Sequence, residues 1–155
     1  MKESDLPRPK SPPSPPEEPM LKDFLALSRI LTGVESLDET LGRAYLDRLR
    51  STPFDPYLRR MIVHFRTLKR GPTLITQVKK ELLADATFRS AICQIILLWY
   101  TSTMQESPNP PNALRYGMQE EYFSGLVWST IGGHVPGVSG GYFGHWRYRP
   151  ENEPP

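Results

Sequence analysis

The stretch from Tyr122 to Pro150, YFSGLVWSTIGGHVPGVSGGYFGHWRYRP, constrains this chain more than any other. Eight of the eleven glycines fall between Gly117 and Gly144. Each costs about 1 kcal/mol relative to alanine inside a helix, so the stretch cannot be a stable regular helix. Nor does it have the composition of a disordered linker, which lacks large apolar side chains. Tyr122, Phe123, Trp128, Tyr142, Phe143, Trp146 and Tyr148 are interleaved with the glycines. An irregular but ordered strap remains, starting at about residue 129, whose rings need a surface to cover. That surface is either the chain's own helices or another protein.

The remainder supplies helices. Residues 1–20 read MKESDLPRPKSPPSPPEEPM, a proline-rich tail with almost nothing to bury. Order is expected from about Leu21, with Asp23 capping a short helix that carries Phe24, Leu27, Ser28 and Leu31 and stops at Gly33. Ser36 and Glu39 have capping-box spacing ahead of a helix with Leu37, Leu41, Tyr45 and Leu49 on one face. Pro53 and Pro56 end that helix and restart the chain. Leu58, Met61, Ile62, Phe65 and Leu68 form the next apolar stripe, which Gly71-Pro72 stops. Leu74, Ile75, Val78 and Leu82 mark a further helix.

After Asp85, the residues Phe88, Ala91, Ile92, Ile95, Ile96 and Trp99 repeat with the period of a central helix packed on more than one side. Cys93 lies in this apolar run, AICQIILLWY, and reads as a small buried hydrophobe. Pro110 and Pro111 break the chain, and a last helix is expected from about Ala113 to Trp128, weakened by Gly117 and Gly125. The fold class is therefore all-α. One domain of about five helices spans residues 21–150 and is finished by the strap, with a disordered proline-rich N-terminus at 1–20 and a short tail at 151–155.

Chemistry is sparse. His64, His134 and His145 have no metal-ligand spacing, and the single Cys93 has no CxxC partner. GGHVPGVSGG matches neither phosphate-binding glycine pattern. Glu120 and Glu121 would point about 100° apart on a helix and cannot act as an acid/base couple. Ser139 lacks the flanking pattern of a nucleophile elbow. The residues thus indicate no catalytic, cofactor-binding or metal-binding site in this chain. His134 and His145 carry the alternative reading of a free-standing enzyme.

Net charge is +2, but the middle of the chain is basic. Eleven Lys/Arg stand against four Asp/Glu between Arg43 and Arg89. Arg59, Arg60, Arg66, Lys69, Arg70, Lys79 and Lys80 carry a competing reading as a binding module for nucleic acid or another anionic partner, without a recognised nucleic-acid motif. The longest apolar stretch, Ile95–Tyr100, is far short of the ~20 residues that span a bilayer. No signal-peptide pattern is visible, so the chain as written reads as soluble.

Three segments carry a resemblance to a known family. DFLALSRILTGVESLDETLGRAYLDRL, Asp23 to Leu49, is similar to the opening helices of small subunits of membrane-bound flavin-dependent sugar and polyol dehydrogenases. Those include the D-sorbitol dehydrogenase-like small-subunit family, with relatives in fructose and glucose dehydrogenases. Phe24, Leu27-Ser28, Thr32-Gly33, Leu37 and Leu41 match. The central helix closing in Trp99-Tyr100 matches next. Tyr122 to Trp128, followed by a strap closing at Gly141 to Trp146, matches last.

The resemblance implies a non-catalytic accessory subunit that supports folding, export or stability of a large FAD-bearing subunit. It implies that the complex lies on the periplasmic side of the inner membrane, that electrons pass to a haem c subunit, and that this chain meets the membrane only through its partners. On this reading nucleic acid is no partner. Tyr122, Trp128, Tyr142, Phe143 and Trp146 become the expected interface, because Trp and Tyr are favoured anchors in protein contacts. Many family members carry a twin-arginine signal, and this chain has its proline-rich start instead.

Overall fold

A computed structural model of the chain describes residues 17–108, 113–133 and 135. Helix α1 runs Glu17–Thr32, α2 Glu39–Arg50 and α3 Asp55–Thr67. The short α4, Leu74–Gln77, continues into a π-helical turn, Val78–Leu83, and α5 spans Ala86–Thr101. The hairpin strands β1, Thr103–Gln105, and β2, Leu114–Tyr116, follow, then the short helices α6, Gln119–Phe123, and α7, Leu126–Thr130.

The all-α reading holds, with the two-stranded hairpin as an addition. Helix α5 is the axis of the core. It packs on α1, α2, α3 and the π-helical turn, and its far end carries β1 and α7. Of the stripe Phe88, Ala91, Ile92, Ile95, Ile96 and Trp99, all are buried except Ile96, which is partly buried against the core. So is the whole of the α3 stripe from Leu58 to Leu68. Tyr45 meets Trp99 edge-on, with ring centroids 5.1 Å apart. Asp85 caps α5 by accepting the Thr87 N–H at 2.7 Å. That hydrogen bond, chiefly, holds the Asp85 carboxyl below the usual carboxylate range.

Several local expectations are corrected. Helix α1 opens at Glu17, ahead of Asp23, because Pro19 is tolerated in a first turn and Met20 and Leu21 are already buried. Asp23 is therefore no cap. It faces α3 and pairs with Arg66 and, at 3.4 Å, with Arg70. The cap of α2 is Asp38, whose carboxylate accepts the Leu41 N–H at 2.7 Å, and the Ser36–Glu39 capping box does not form. A carboxylate at the N-cap also complements the helix dipole, which a serine hydroxyl does not.

Ile75 is exposed, because the π-helical turn brings Val78 and Leu82 onto the core instead. Cys93 is exposed. The polar residue that the core takes in from the same run is Gln94, fully buried with its amide bonded to Gln105. Gly33 ends α1 with φ +73, as expected of a glycine stop.

The largest difference lies after the central helix. The expected helix from Ala113 to Trp128 is instead a strand and two short helices. Gly125 is where the helix must break. A Cβ there would sit 2.7 Å from the Tyr100 carbonyl oxygen, so the chain lies flat on the end of α5.

Candidate partner-binding surface

The residues after α5 are held to the helical core by several polar contacts, the Gln94–Gln105 pair among them. Ser102 ends α5 in the left-handed region, φ 53, and its hydroxyl meets the buried Tyr45 hydroxyl at 2.9 Å. The Ser102 carbonyl accepts the Gly117 N–H at 2.6 Å, which closes the hairpin. Arg48 donates to Glu121 at 2.6 Å, tying α6 to α2. The other oxygen of Glu121 accepts the Met118 N–H at 3.2 Å and so caps the start of α6. Burial pushes the Tyr45 phenol above its ordinary value of 10.0. The Ser102 hydrogen bond and the Arg48 charge act the other way, and the Glu121 charge adds to the rise.

This frame presents apolar side chains to solvent. Leu114 is 51% exposed, Tyr116 77%, Met118 70% and Tyr122 39%. Leu114 and Tyr116 share one face of β2, since alternate strand residues point the same way. Tyr122 and Trp128 come together in a T-shaped pair, with centroids 5.2 Å apart. The Trp128 indole N–H donates to the Tyr122 carbonyl at 2.9 Å, so the half-buried ring is fixed in place. Of the five residues expected at an interface, Tyr122 and Trp128 are therefore adjacent. Tyr142, Phe143 and Trp146 lie outside the described residues, as do His134 and His145.

Leu114, Tyr116 and Met118 are surface residues that the sequence reading missed. The only local signal was the alternation Leu-Arg-Tyr between Pro111 and Gly117, too short to outweigh a helical reading.

Among the described residues no group of three or more His, Cys, Asp or Glu could hold a metal ion. His64 pairs with Glu81 at 3.0 Å on the half-exposed outer face of α3. Much of the basic middle is neutralised internally: Arg48 by Glu121, Arg59 by Asp55, Arg66 and Arg70 by Asp23. An open cleft of about 490 Å³ between α2 and α6 is lined by Asp38, Thr40, Leu41, Ala44, Glu120, Glu121 and Ser124.

A flavin dinucleotide does not fit these residues. In the doubly wound dinucleotide fold its pyrophosphate is bound at a helix N-terminus after a parallel strand, whereas the only described strands are antiparallel and three residues long. Three carboxylates line the cleft and would repel the phosphates.

No single described helix is long and apolar enough to cross a membrane. Leu74–Leu83 and Ala86–Thr101 together have the length, but they meet at 114° and turn Val78, Leu82, Phe88 and Ile95 into the core.

The fold and surface define a helical domain whose two most exposed large apolar side chains among the described residues, Tyr116 and Met118, lie on the hairpin and on the turn into the helix that follows. The chain belongs to the family of membrane-bound FAD-containing D-sorbitol dehydrogenase, whose model matches residues 2–120. The match takes in the opening helices and the central helix closing in Trp99-Tyr100, and it ends just ahead of Tyr122. No curated protein matches the chain.

Proposed function

We propose that this chain is the non-catalytic accessory subunit of a flavin-dependent sorbitol-type dehydrogenase, docking on the FAD-bearing subunit and supporting its folding, export or stability. The observation that carries the reading is the exposed run Leu114, Tyr116, Met118 and Tyr122, backed by Trp128, in a chain of a FAD-containing dehydrogenase family whose described residues do not fit the flavin. A monomer gains nothing by exposing such a run, whereas buried aromatic and aliphatic anchors supply most of the affinity of an interface. Tyr142, Phe143 and Trp146 are further interface anchors in this proposal, within one domain of residues 21–150. The complex is membrane-associated through its partners on the periplasmic side, and a haem c subunit as electron acceptor belongs to the same proposal. The basic middle gives no comparable support to nucleic-acid binding, since four of its arginines already face carboxylates.

The test is co-purification of the tagged chain from its host, with an absorbance spectrum of the eluate. A flavin spectrum with a larger co-eluting protein is expected. A colourless, solitary chain overturns the proposal. Trp128→Ala should weaken that association about tenfold or more while lowering the stability of the free chain by only about 1 kcal/mol, because the ring is half-exposed.

A further inference from the structure

The ladder of the hairpin fixes where each backbone group points. Gly117 N–H donates to Ser102 O at 2.6 Å and Glu106 N–H donates to Ala113 O at 3.0 Å, while the register sets Met104 opposite Arg115. Residues of that parity bond across the hairpin. The alternate ones, Thr103, Gln105, Leu114 and Tyr116, turn their N–H and C=O groups to the outer edges. On the β1 side the edge is closed, because Gln105 N–H donates to the buried Gln94 side chain at 2.6 Å. On the β2 side no described residue bonds the N–H or C=O of Leu114 or Tyr116. The sheet can grow in one direction only.

Open edges are usually blunted by charge, proline or a covering element. Here the edge residues are exposed Leu114 and Tyr116, and the charge sits between them. Arg115 decides the occupant. Two copies of β2 paired about a two-fold axis would set Leu114 against Tyr116 and Arg115 against its own copy. That central pair is the close, non-hydrogen-bonded kind, with Cβ atoms about 4.5–5.5 Å apart, and like charges there are destabilising. The Arg115 guanidinium holds Glu106 through Nε alone at 2.7 Å and stays 60% exposed, so its terminal NH2 groups can take a second carboxylate opposite.

Resting on the accessory-subunit reading, we propose that the outer edge of β2 takes up an extended segment of the FAD-bearing subunit by strand addition. The main-chain groups of Leu114 and Tyr116 supply the hydrogen bonds. The segment's pattern is apolar–acidic–apolar, with apolar side chains against Leu114 and Tyr116 and a carboxylate opposite Arg115. The edge is continuous in sequence with Met118 and Tyr122, so one surface carries both modes of contact.

The test is the affinity of the full chain for the FAD-bearing subunit co-purified from its host, with Tyr116→Pro as the first variant. Proline removes the outward N–H of Tyr116, and no bond to β1 depends on that group. The Kd should rise about tenfold or more, and less for Tyr116→Ala, which keeps the N–H. Wild-type binding with an unchanged Kd for Tyr116→Pro overturns strand addition and leaves the accessory reading standing. Absence of wild-type binding overturns that reading itself.

Hydrogen exchange of the wild-type chain is independent of any variant. The Leu114 and Tyr116 amides should exchange fast in the free chain and slowly in the complex. Slow exchange in the dilute free chain means that its own remaining residues cover the edge. Protection that grows with concentration, without partner, means a second copy does. Either result overturns the proposal.

Discussion

The helical core and the segment after α5 are built on opposite terms. In α1, α2, α3 and α5 the large apolar side chains are almost all turned inward: Phe24, Tyr45, Leu58, Phe65, Ile95 and Trp99 are buried. After Ser102 the elements are three to five residues long, and Leu114, Tyr116, Met118 and Ile131 face solvent. The first region is stabilised chiefly by its own burial. The second is held by Met104 and Leu126 packed on that core and by a few polar contacts, and its exposed apolar area is surplus to the free chain. Stability and recognition are thus separated along the sequence, and each link between the two regions can be cut on its own.

The largest effect should come from within the core. Trp99 is 2% exposed and stacks edge-on with Tyr45. Trp99→Ala should cost about 3–5 kcal/mol in chemical denaturation, by lost transfer energy plus a cavity. Both regions should then unfold together, because the hairpin and α7 lie on the end of the helix that Trp99 anchors. Separate transitions for the two regions would break the comparison.

Cutting the Arg48–Glu121 link should sharpen it. Arg48→Ala leaves the Glu121 carboxylate with only the Met118 N–H among described donors. The expected cost is about 1.5–2 kcal/mol, typical of a charged hydrogen bond that is partly buried. The loss should be local. The α6 amides, and those of Arg115 and Gly117 that bond across the hairpin, should exchange roughly ten- to thirtyfold faster, while those of α5 keep their protection. Uniform loss across the chain would show that the second region is part of the core rather than clamped to it.

The core was the legible part. In α5 the apolar period and the Asp85 cap are local facts, and both appear in the structure. In α3 the five stripe residues and the proline restart were equally plain. The second region was misread because its determinants are not local. The break at Gly125 is set by the Tyr100 carbonyl, and the start of α6 by Glu121, which is placed by Arg48 across 73 residues. Glu120-Glu121 looked inert as a catalytic pair, and no periodicity indicates that one member is a structural strut. Tyr122 and Trp128 were nameable as interface residues from their chemistry alone. Leu114, Tyr116 and Met118 were not, because a three-residue strand carries too little alternation to show.

The smallest effect should come from the Tyr45–Ser102 contact, which is also the one that pH can address. Tyr45→Phe keeps the ring against Trp99 and leaves the buried Ser102 hydroxyl without its partner. The expected loss is about 1–2 kcal/mol. The pH dependence follows from the direction of the shift. Burial raises the Tyr45 phenol in the folded chain above its ordinary 10.0, so the folded state holds this proton more tightly than the unfolded state. The linked stability is fully present below pH 10.0 and is lost as pH rises through the raised value. Wild type should therefore lose stability faster than Tyr45→Phe above about pH 10, and the two curves should converge. Parallel curves would mean that the phenol is not buried as described, and that the hairpin is joined to the core by Gln94–Gln105 and Met104 rather than by Tyr45.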